Sequence, residues 1–342
     1  MKKILIIGAG AMGSAFSVPC LENKNDVSLI GTFLENDLIK SLKEKNNYHP
    51  ALNINLPKNL NIERHDQIEN LTQSGVDFIV AGISSVGIEW FANEISKFYN
   101  KKTSIILLTK GLAIDDDHLI TLSEKLENIL RTNGHKDVNI SSVKGPCLAS
   151  GLAHKMRTST VIANENIKKA QEIQSLISTE YYKCEITNDV PGVEFSSAIK
   201  NIYSMLIGAA EGLSNPTAPI EIQKKFYLNT SASLIHRSIS EMAEFVSYYS
   251  GKVETVYGLA GLGDLHVSVA GGRNSKMGMY LGQGYLYKDA KENFMKDITV
   301  EGAELVFEIG PKIMKNFKEK QFPLMFSILR CICENKKLQI NW

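Results

Sequence analysis

The feature that most constrains this chain stands at its start. An apolar run, Ile4-Leu5-Ile6-Ile7, leads directly into Gly8-Ala9-Gly10-Ala11-Met12-Gly13, and a predicted helix over Met12–Glu22 follows. Between a strand and a helix, three glycines at this spacing have separate tasks. The first makes the tight turn, the second lets the backbone approach a pyrophosphate, and the third lets helix and strand pack closely. The helix start then offers unpaired N–H groups and a positive dipole end to phosphate. Gly8, Gly10 and Gly13 therefore predict a dinucleotide-binding half.

The rest of the first half repeats the strand–helix alternation of an α/β fold. Strands are predicted over Lys3–Ile7, Asp26–Ile30, Phe78–Ala81, 104–108 and 138–143, with two more near 159–162 and 181–185. Their apolar character suits a parallel sheet covered on both faces. Helices are predicted over Met12–Glu22, 35–45, 86–98 and 119–130. The Asn-rich stretch 46–57, with Pro50 and Pro57, reads as a surface loop. After Pro191 apolar residues recur at helical spacing over 192–212 and 220–249. The remainder reads as helical, broken by a glycine-dense loop over 258–284. At 342 residues two domains are the natural division. The expected fold is an N-terminal Rossmann-type doubly wound α/β sheet over 1–190, followed by an all-α C-terminal domain over 191–342.

Charge removes several function classes. Lys plus Arg total 38 against 37 for Asp plus Glu, so neither a nucleic-acid partner nor an anionic membrane surface is expected. No run approaches the roughly 18 apolar residues of a membrane span. The five cysteines, Cys20, Cys147, Cys184, Cys331 and Cys333, are odd in number and scattered, as in a cytoplasmic protein with reduced thiols. Cys331 and Cys333 lack a second ligand pair, so no metal is expected.

Four further segments carry chemistry. Thr109-Lys110-Gly111 follows a strand, which places Lys110 at the carboxyl edge of the sheet where open α/β folds bind ligands; an exposed turn lysine is the plainer alternative. Lys144-Gly145-Pro146-Cys147-Leu148-Ala149 brings small residues and backbone amides to another strand end, where an ordinary turn would look the same. Lys200 and Asn201 sit in a mainly apolar predicted helix. A desolvated lysine suits general acid–base work, although a long side chain can also reach out to water. Finally, Asp264 lies in the glycine-dense stretch ahead of Gly271-Gly272-Arg273-Asn274, which is suited to clasping a phosphate. The end of the second strand reads Ile30-Gly31-Thr32-Phe33, with no acid to bind an adenosine ribose and no Arg to bind a 2′-phosphate. Thr32 suits either group, and Glu35 and Asp37 suit a helix N-terminus. NAD and NADP both stay open.

The ordered set, from Gly8–Gly13 through Thr109-Lys110-Gly111, Gly145-Pro146, Lys200-Asn201-Ile202-Tyr203, Gly261-Leu262-Gly263-Asp264-Leu265, Arg273-Asn274, Leu281-Gly282-Gln283-Gly284 and Val300-Glu301-Gly302, closely resembles the soluble NAD(P)-dependent glycerol-3-phosphate dehydrogenases. The resemblance runs over nearly the whole chain. It implies reversible hydride transfer between NAD(P)H and dihydroxyacetone phosphate, a role in glycerophospholipid metabolism, and a cytoplasmic homodimer. It makes Lys200 the general acid/base, assisted by Lys110, Asn201 and Asp264. Lys110, Gly145, Cys147, Lys200, Asp264, Gly272, Arg273 and Asn274 would bind substrate. Ala11, Met12, Thr32, Lys110, Ala149, Arg273, Thr299 and Glu301 would join the glycines at the cofactor.

The chain departs from the pattern at Cys147, where Ser or Thr is usual, at Ser268 for Thr, at Gly272 for Ser, and in a shorter stretch between Asp264 and Arg273. The rival enzyme is a ketopantoate reductase-like 2-keto acid reductase, which resembles this chain in its opening turn, two-domain layout and catalytic lysine. The Gly261–Leu265 run and the Arg273-Asn274 pair argue against it.

Overall fold

The computed structural model describes residues 1–73, 75–214 and 217–340. Its contacts divide into two compact units, Met1–Lys110 with Thr121–Val190, and Gly111–Ile120 with Pro191–Trp342. Each has its own apolar core.

The first unit is built on an eight-stranded sheet: β1 (Lys3–Ile7), β2 (Asp26–Ile30), β3 (Asn61–Glu63), β4 (Phe78–Ala81), β5 (Ser104–Leu107), β6 (Ile140–Lys144), β7 (Thr158–Ala163) and β8 (Tyr182–Thr187). The spatial order is β8-β7-β6-β5-β4-β1-β2-β3. Ile4 to Ile7 are buried, as a central strand covered on both faces requires. β1 pairs in parallel with β2 on one side and β4 on the other. The chain thus leaves β1 in one direction and later returns to its other flank. That reversal opens a crevice beyond the carboxyl ends of β1 and β4, where doubly wound sheets hold ligands.

Four expectations need correction here. The sheet is not wholly parallel, because β6 and β7 run antiparallel, Ser142 facing Ala163 and Lys144 facing Val161. Their link contains only the short helix Ala149–Ala153, and so lacks the long crossover a parallel pair needs. The stretch 46–57 is more than a surface loop. It forms a small hairpin, Tyr48–His49 with Ile54–Asn55, and buries His49, Leu52 and Leu56. Edge strand β3 has no clear alternation in sequence and was not expected. The helix expected from residue 119 begins at Leu122, because Thr121 Oγ1 accepts the Glu124 amide at 3.1 Å as an N-cap. Leu119 and Ile120 instead belong to a hairpin, Leu112–Asp115 with His118–Thr121.

That hairpin turns at Asp116 and Asp117, both at positive φ, the conformation that tight hairpin turns demand. Asp117 then pairs with Lys312 at 2.6 Å and Lys315 at 3.4 Å on helix Glu301–Asn316, and residues 111–120 group with the second unit.

The second unit is helical among its described residues apart from that hairpin. Helix Val190–Gly208 is buried almost all round, from Gly192 to Ile207, with Glu194, Lys200 and Asn201 among its buried residues. The predicted continuation to residue 212 is a separate helix, Ala210–Ser214, and the run over 220–249 divides into Ile220–Phe226 and Leu228–Tyr248. The glycine-dense stretch is no loop. It forms a π-helical turn over Leu259–Gly263, then helices Asp264–Val269 and Arg273–Gly282. Its glycines serve close packing: a Cβ on Gly278 would overlap the carbonyl oxygen of Met205, and one on Gly282 that of Ala209. Helix Arg273–Gly282 can therefore lie directly against helix Val190–Gly208.

Candidate functional site

In the first unit the site begins where β1 ends. Gly8 has φ of 107°, open to glycine and strained for other residues. A Cβ on Gly13 would strike the carbonyl oxygen of Gly8, so the third glycine is required for packing. Gly10 is different. A Cβ there would meet nothing nearer than Glu35 Oε1 at 3.6 Å, so the protein's own packing leaves this position open. That open space suits the close approach of a ligand to the main chain. Helix Ala11–Glu22 has no side-chain cap and no acid in its first turn, which leaves its start available to a phosphate. The turn fits a dinucleotide on both counts.

The Ala9 peptide between these glycines is held from both sides. Its N–H donates to Glu35 Oε2 at 3.0 Å, and its carbonyl accepts from Ser14 Oγ at 2.9 Å and His49 Nε2 at 3.0 Å. His49 is 1% exposed, and no described residue partners its Nδ1. A carbonyl only accepts, so Nε2 carries the proton. Neither residue was chosen from sequence for this position: Glu35 read as a helix-start acid, and His49 lay in a presumed loop. Thr32 sits just beyond β2, with its amide donating to Glu35 Oε2 at 2.7 Å.

At the carboxyl end of β5, Lys110 Nζ donates to the Gly145 carbonyl at 3.3 Å. Gly145, with φ of 137°, turns the chain after β6, and its carbonyl also accepts the Cys147 amide at 2.8 Å. Lys110, Gly145 and Cys147 therefore form one connected cluster within this unit. Ala149 opens the short helix that follows.

In the second unit Lys200 is 4% exposed and Asp264 3%. Lys200 Nζ reaches Asp264 Oδ1 at 2.9 Å and also bonds Ser268 Oγ. It is thus a buried, paired ammonium and not a side chain reaching to water. The π turn ends immediately before Asp264, and such turns recur at functional sites. One residue along, Asn201 Oδ1 accepts from Asn274 Nδ2 at 3.0 Å, and Asn274 Oδ1 accepts the Gly302 amide at 2.8 Å. This chain of amides joins the Lys200 helix to the starts of helices Arg273–Gly282 and Glu301–Asn316. Gly272 is the uncapped N-cap residue of the former. Arg273 is exposed and paired with Glu301, and Thr299 lies exposed just before that acid. Among the described residues, no group of three His, Cys, Asp or Glu is placed to hold a metal ion, and no helix is long and apolar enough to cross a membrane.

An open glycine turn on a doubly wound sheet, in one chain with a helical unit that carries a buried lysine–aspartate pair, defines the class of nicotinamide-dinucleotide-dependent dehydrogenases. Residues 3–170 match the N-terminal part of the NAD-dependent glycerol-3-phosphate dehydrogenases and residues 189–341 match the C-terminal part. The NADP(+)-dependent glycerol-3-phosphate dehydrogenase of Archaeoglobus fulgidus is 32% identical over 342 residues, covering 98% of this chain and 96% of the relative. A glycerol-3-phosphate dehydrogenase (NAD(P)+) of Clostridium botulinum is 29% identical, covering 92% of this chain and 89% of its own. The solved Plasmodium falciparum glycerol-3-phosphate dehydrogenase shares the fold, with a TM-score of 0.84 at 19% identity, over 100% of this chain and 97% of that one. The chain belongs to the NAD-dependent glycerol-3-phosphate dehydrogenase family.

Proposed function

We propose that this protein is an NAD(P)-dependent sn-glycerol-3-phosphate dehydrogenase, interconverting dihydroxyacetone phosphate and sn-glycerol 3-phosphate as a cytoplasmic homodimer that serves glycerophospholipid synthesis. The observation that carries the chemistry is the buried Lys200–Asp264–Ser268 cluster, in a chain whose two halves both match this family. Residues 1–190 take the dinucleotide-binding role and 191–342 the substrate-binding and catalytic role.

The bound dinucleotide supplies the hydride. Gly8, Gly10, Ala11, Met12, Gly13, Thr32, Lys110 and Ala149 are assigned to it in the first unit, and Arg273, Thr299 and Glu301 in the second. In the reducing direction the Lys200 ammonium gives a proton to the oxygen of the substrate's central carbon, so that the carbonyl becomes an alcohol. Asp264 holds the ammonium in place, and Ser268 takes a further bond. Asn201, fixed by Asn274, keeps the neighbouring turn of the helix in register. The uncapped helix start at Gly272, Arg273 and Asn274 suits the substrate phosphate, and binding there orients the carbonyl. Lys110, Gly145 and Cys147 are the first unit's substrate-binding residues, with Cys147 acting through its backbone or a weak thiol bond.

The test is oxidation of NADH and NADPH by the purified protein with dihydroxyacetone phosphate and ketopantoate supplied in parallel. Turnover with the phosphorylated ketone alone is expected. Turnover confined to ketopantoate would replace this reading with the rival reductase.

A further inference from the structure

Glu35 stands in no part of the machinery assigned above, and its carboxylate is the charged group nearest the open face of Gly10. We infer that Glu35 reads the adenosine ribose and makes this chain prefer NAD(H) over NADP(H). The inference rests on the reading that the first unit holds a nicotinamide dinucleotide.

Along the chain, the expected acid at the end of β2 is missing. The backbone supplies it another way. Beyond Thr32 it makes a tight turn, with the Glu35 amide bonded to the Thr32 carbonyl at 3.0 Å, which carries Glu35 back over the strand end. Its Oε2 then takes two backbone donors, Thr32 N at 2.7 Å and Ala9 N at 3.0 Å. Oε1 is turned toward Gly10, 3.6 Å from where a Cβ would stand. The carboxylate is tied by main-chain groups on both the glycine turn and the end of β2. In doubly wound dehydrogenases that is where an acid meets the ribose hydroxyls.

A vicinal diol has two protons to donate to such an oxygen. A 2′-phosphate instead brings negative charge against the carboxylate, and a site built to receive a hydroxyl proton rejects a group that cannot give one. On helix Asn36–Glu44 and at Arg64 beyond β3, the cations have partners of their own at the surface. Lys43 pairs with Glu63 at 2.6 Å, Lys40 with Glu44 at 4.0 Å, and Arg64 with Asn36 Oδ1 at 3.3 Å and Asp66 at 3.9 Å. The Archaeoglobus relative bears the name NADP(+)-dependent, so the preference inferred here separates the two.

Calorimetric titration of the full chain with NADH and with NADPH, without substrate, tests the inference for wild type, Glu35→Gln and Glu35→Ala. The wild type is expected to bind NADH at least about tenfold more tightly than NADPH, an ordinary effect of one charge at close range. Both variants should bring the ratio towards one, chiefly through weaker NADH binding in Glu35→Ala and stronger NADPH binding in Glu35→Gln. Equal or tighter NADPH binding by the wild type overturns the inference, as does an unchanged ratio in a folded variant. Should Glu35→Ala not fold, the wild-type ratio and Glu35→Gln still decide. If neither dinucleotide binds the wild type, the dinucleotide reading itself falls, an outcome distinct from a ratio near one.

Discussion

Lys200 and Asp264 are a buried ion pair, and such a pair costs desolvation energy that a pair of apolar residues would not. A pair held at that cost suits a chemical role. Lys200→Ala should lower the rate of ketone reduction by at least roughly 10²-fold, the usual loss for a general acid. NADH affinity should stay nearly intact, because Lys200 is not among the residues assigned to the cofactor. Stopped-flow single turnovers with a parallel cofactor titration would check both, and a variant near wild-type rate would remove Lys200 from the chemistry. Arg273 belongs to another category. It is exposed and paired with Glu301, so Arg273→Ala should chiefly raise the Michaelis constant for the phosphorylated ketone. Steady-state kinetics showing an unchanged constant would take Arg273 out of phosphate binding. Lys200, Asp264 and Arg273 could be picked out along the sequence as candidates because each is a charged residue in an apolar or glycine-dense stretch. Glu35 and His49 were not, since their meaning depends on chain segments that fold back onto Ala9.

Among the elements, the close approach of helix Arg273–Gly282 to the end of helix Val190–Gly208 depends on missing side chains. Gly278→Ala would drive a methyl into the Met205 carbonyl, and overpacking of this kind costs about 1–3 kcal/mol or more. A lowered urea midpoint together with reduced turnover is expected, because the shift would pass along the helix to Lys200. Helix Pro323–Cys333 is held at its start in another way. Glu241 is buried, accepts the Leu324 amide at 2.7 Å and the Met325 amide at 3.0 Å, and takes the Tyr203 hydroxyl at 3.1 Å. Burial pushes its carboxyl up despite these donors. The folded protein therefore prefers the protonated form more than the unfolded chain does, and Glu241 contributes less stability as pH rises through that window. Glu241→Gln has no such proton to lose. The stability gap between wild type and Glu241→Gln should thus narrow from about pH 4 to about pH 7, as read from urea denaturation at the two values. A gap that widens would contradict the raised carboxyl.

Across the whole molecule, two separate apolar cores imply that a ligand held by one unit need not stabilise both. Saturation with dinucleotide at a hundredfold excess over its dissociation constant should add about 2.7 kcal/mol to whatever unfolds together with the bound site. Scanning calorimetry would show either one transition moving upward or, if the units melt apart, a single shifted peak beside an unmoved one. No movement of any transition would count against cofactor binding at the glycine turn. Tertiary contacts also regroup one segment of the chain. Residues 111–120 follow β5 in sequence, yet they group with the helical unit, and Asp117 on their turn pairs with Lys312 and Lys315 nearly two hundred positions later.

The opening turn and the strand–helix alternation of the sheet were determined by the sequence itself. Glycine spacing and apolar runs act over short stretches, and their physics is local. Tertiary structure decided what local patterns cannot contain. It set the antiparallel entry of β7 through too short a link, and it turned a glycine-rich stretch into helices packed backbone to backbone. It also brought Glu35 back over Ala9. In each case the folded path of the backbone, and not a local pattern, determines which groups meet.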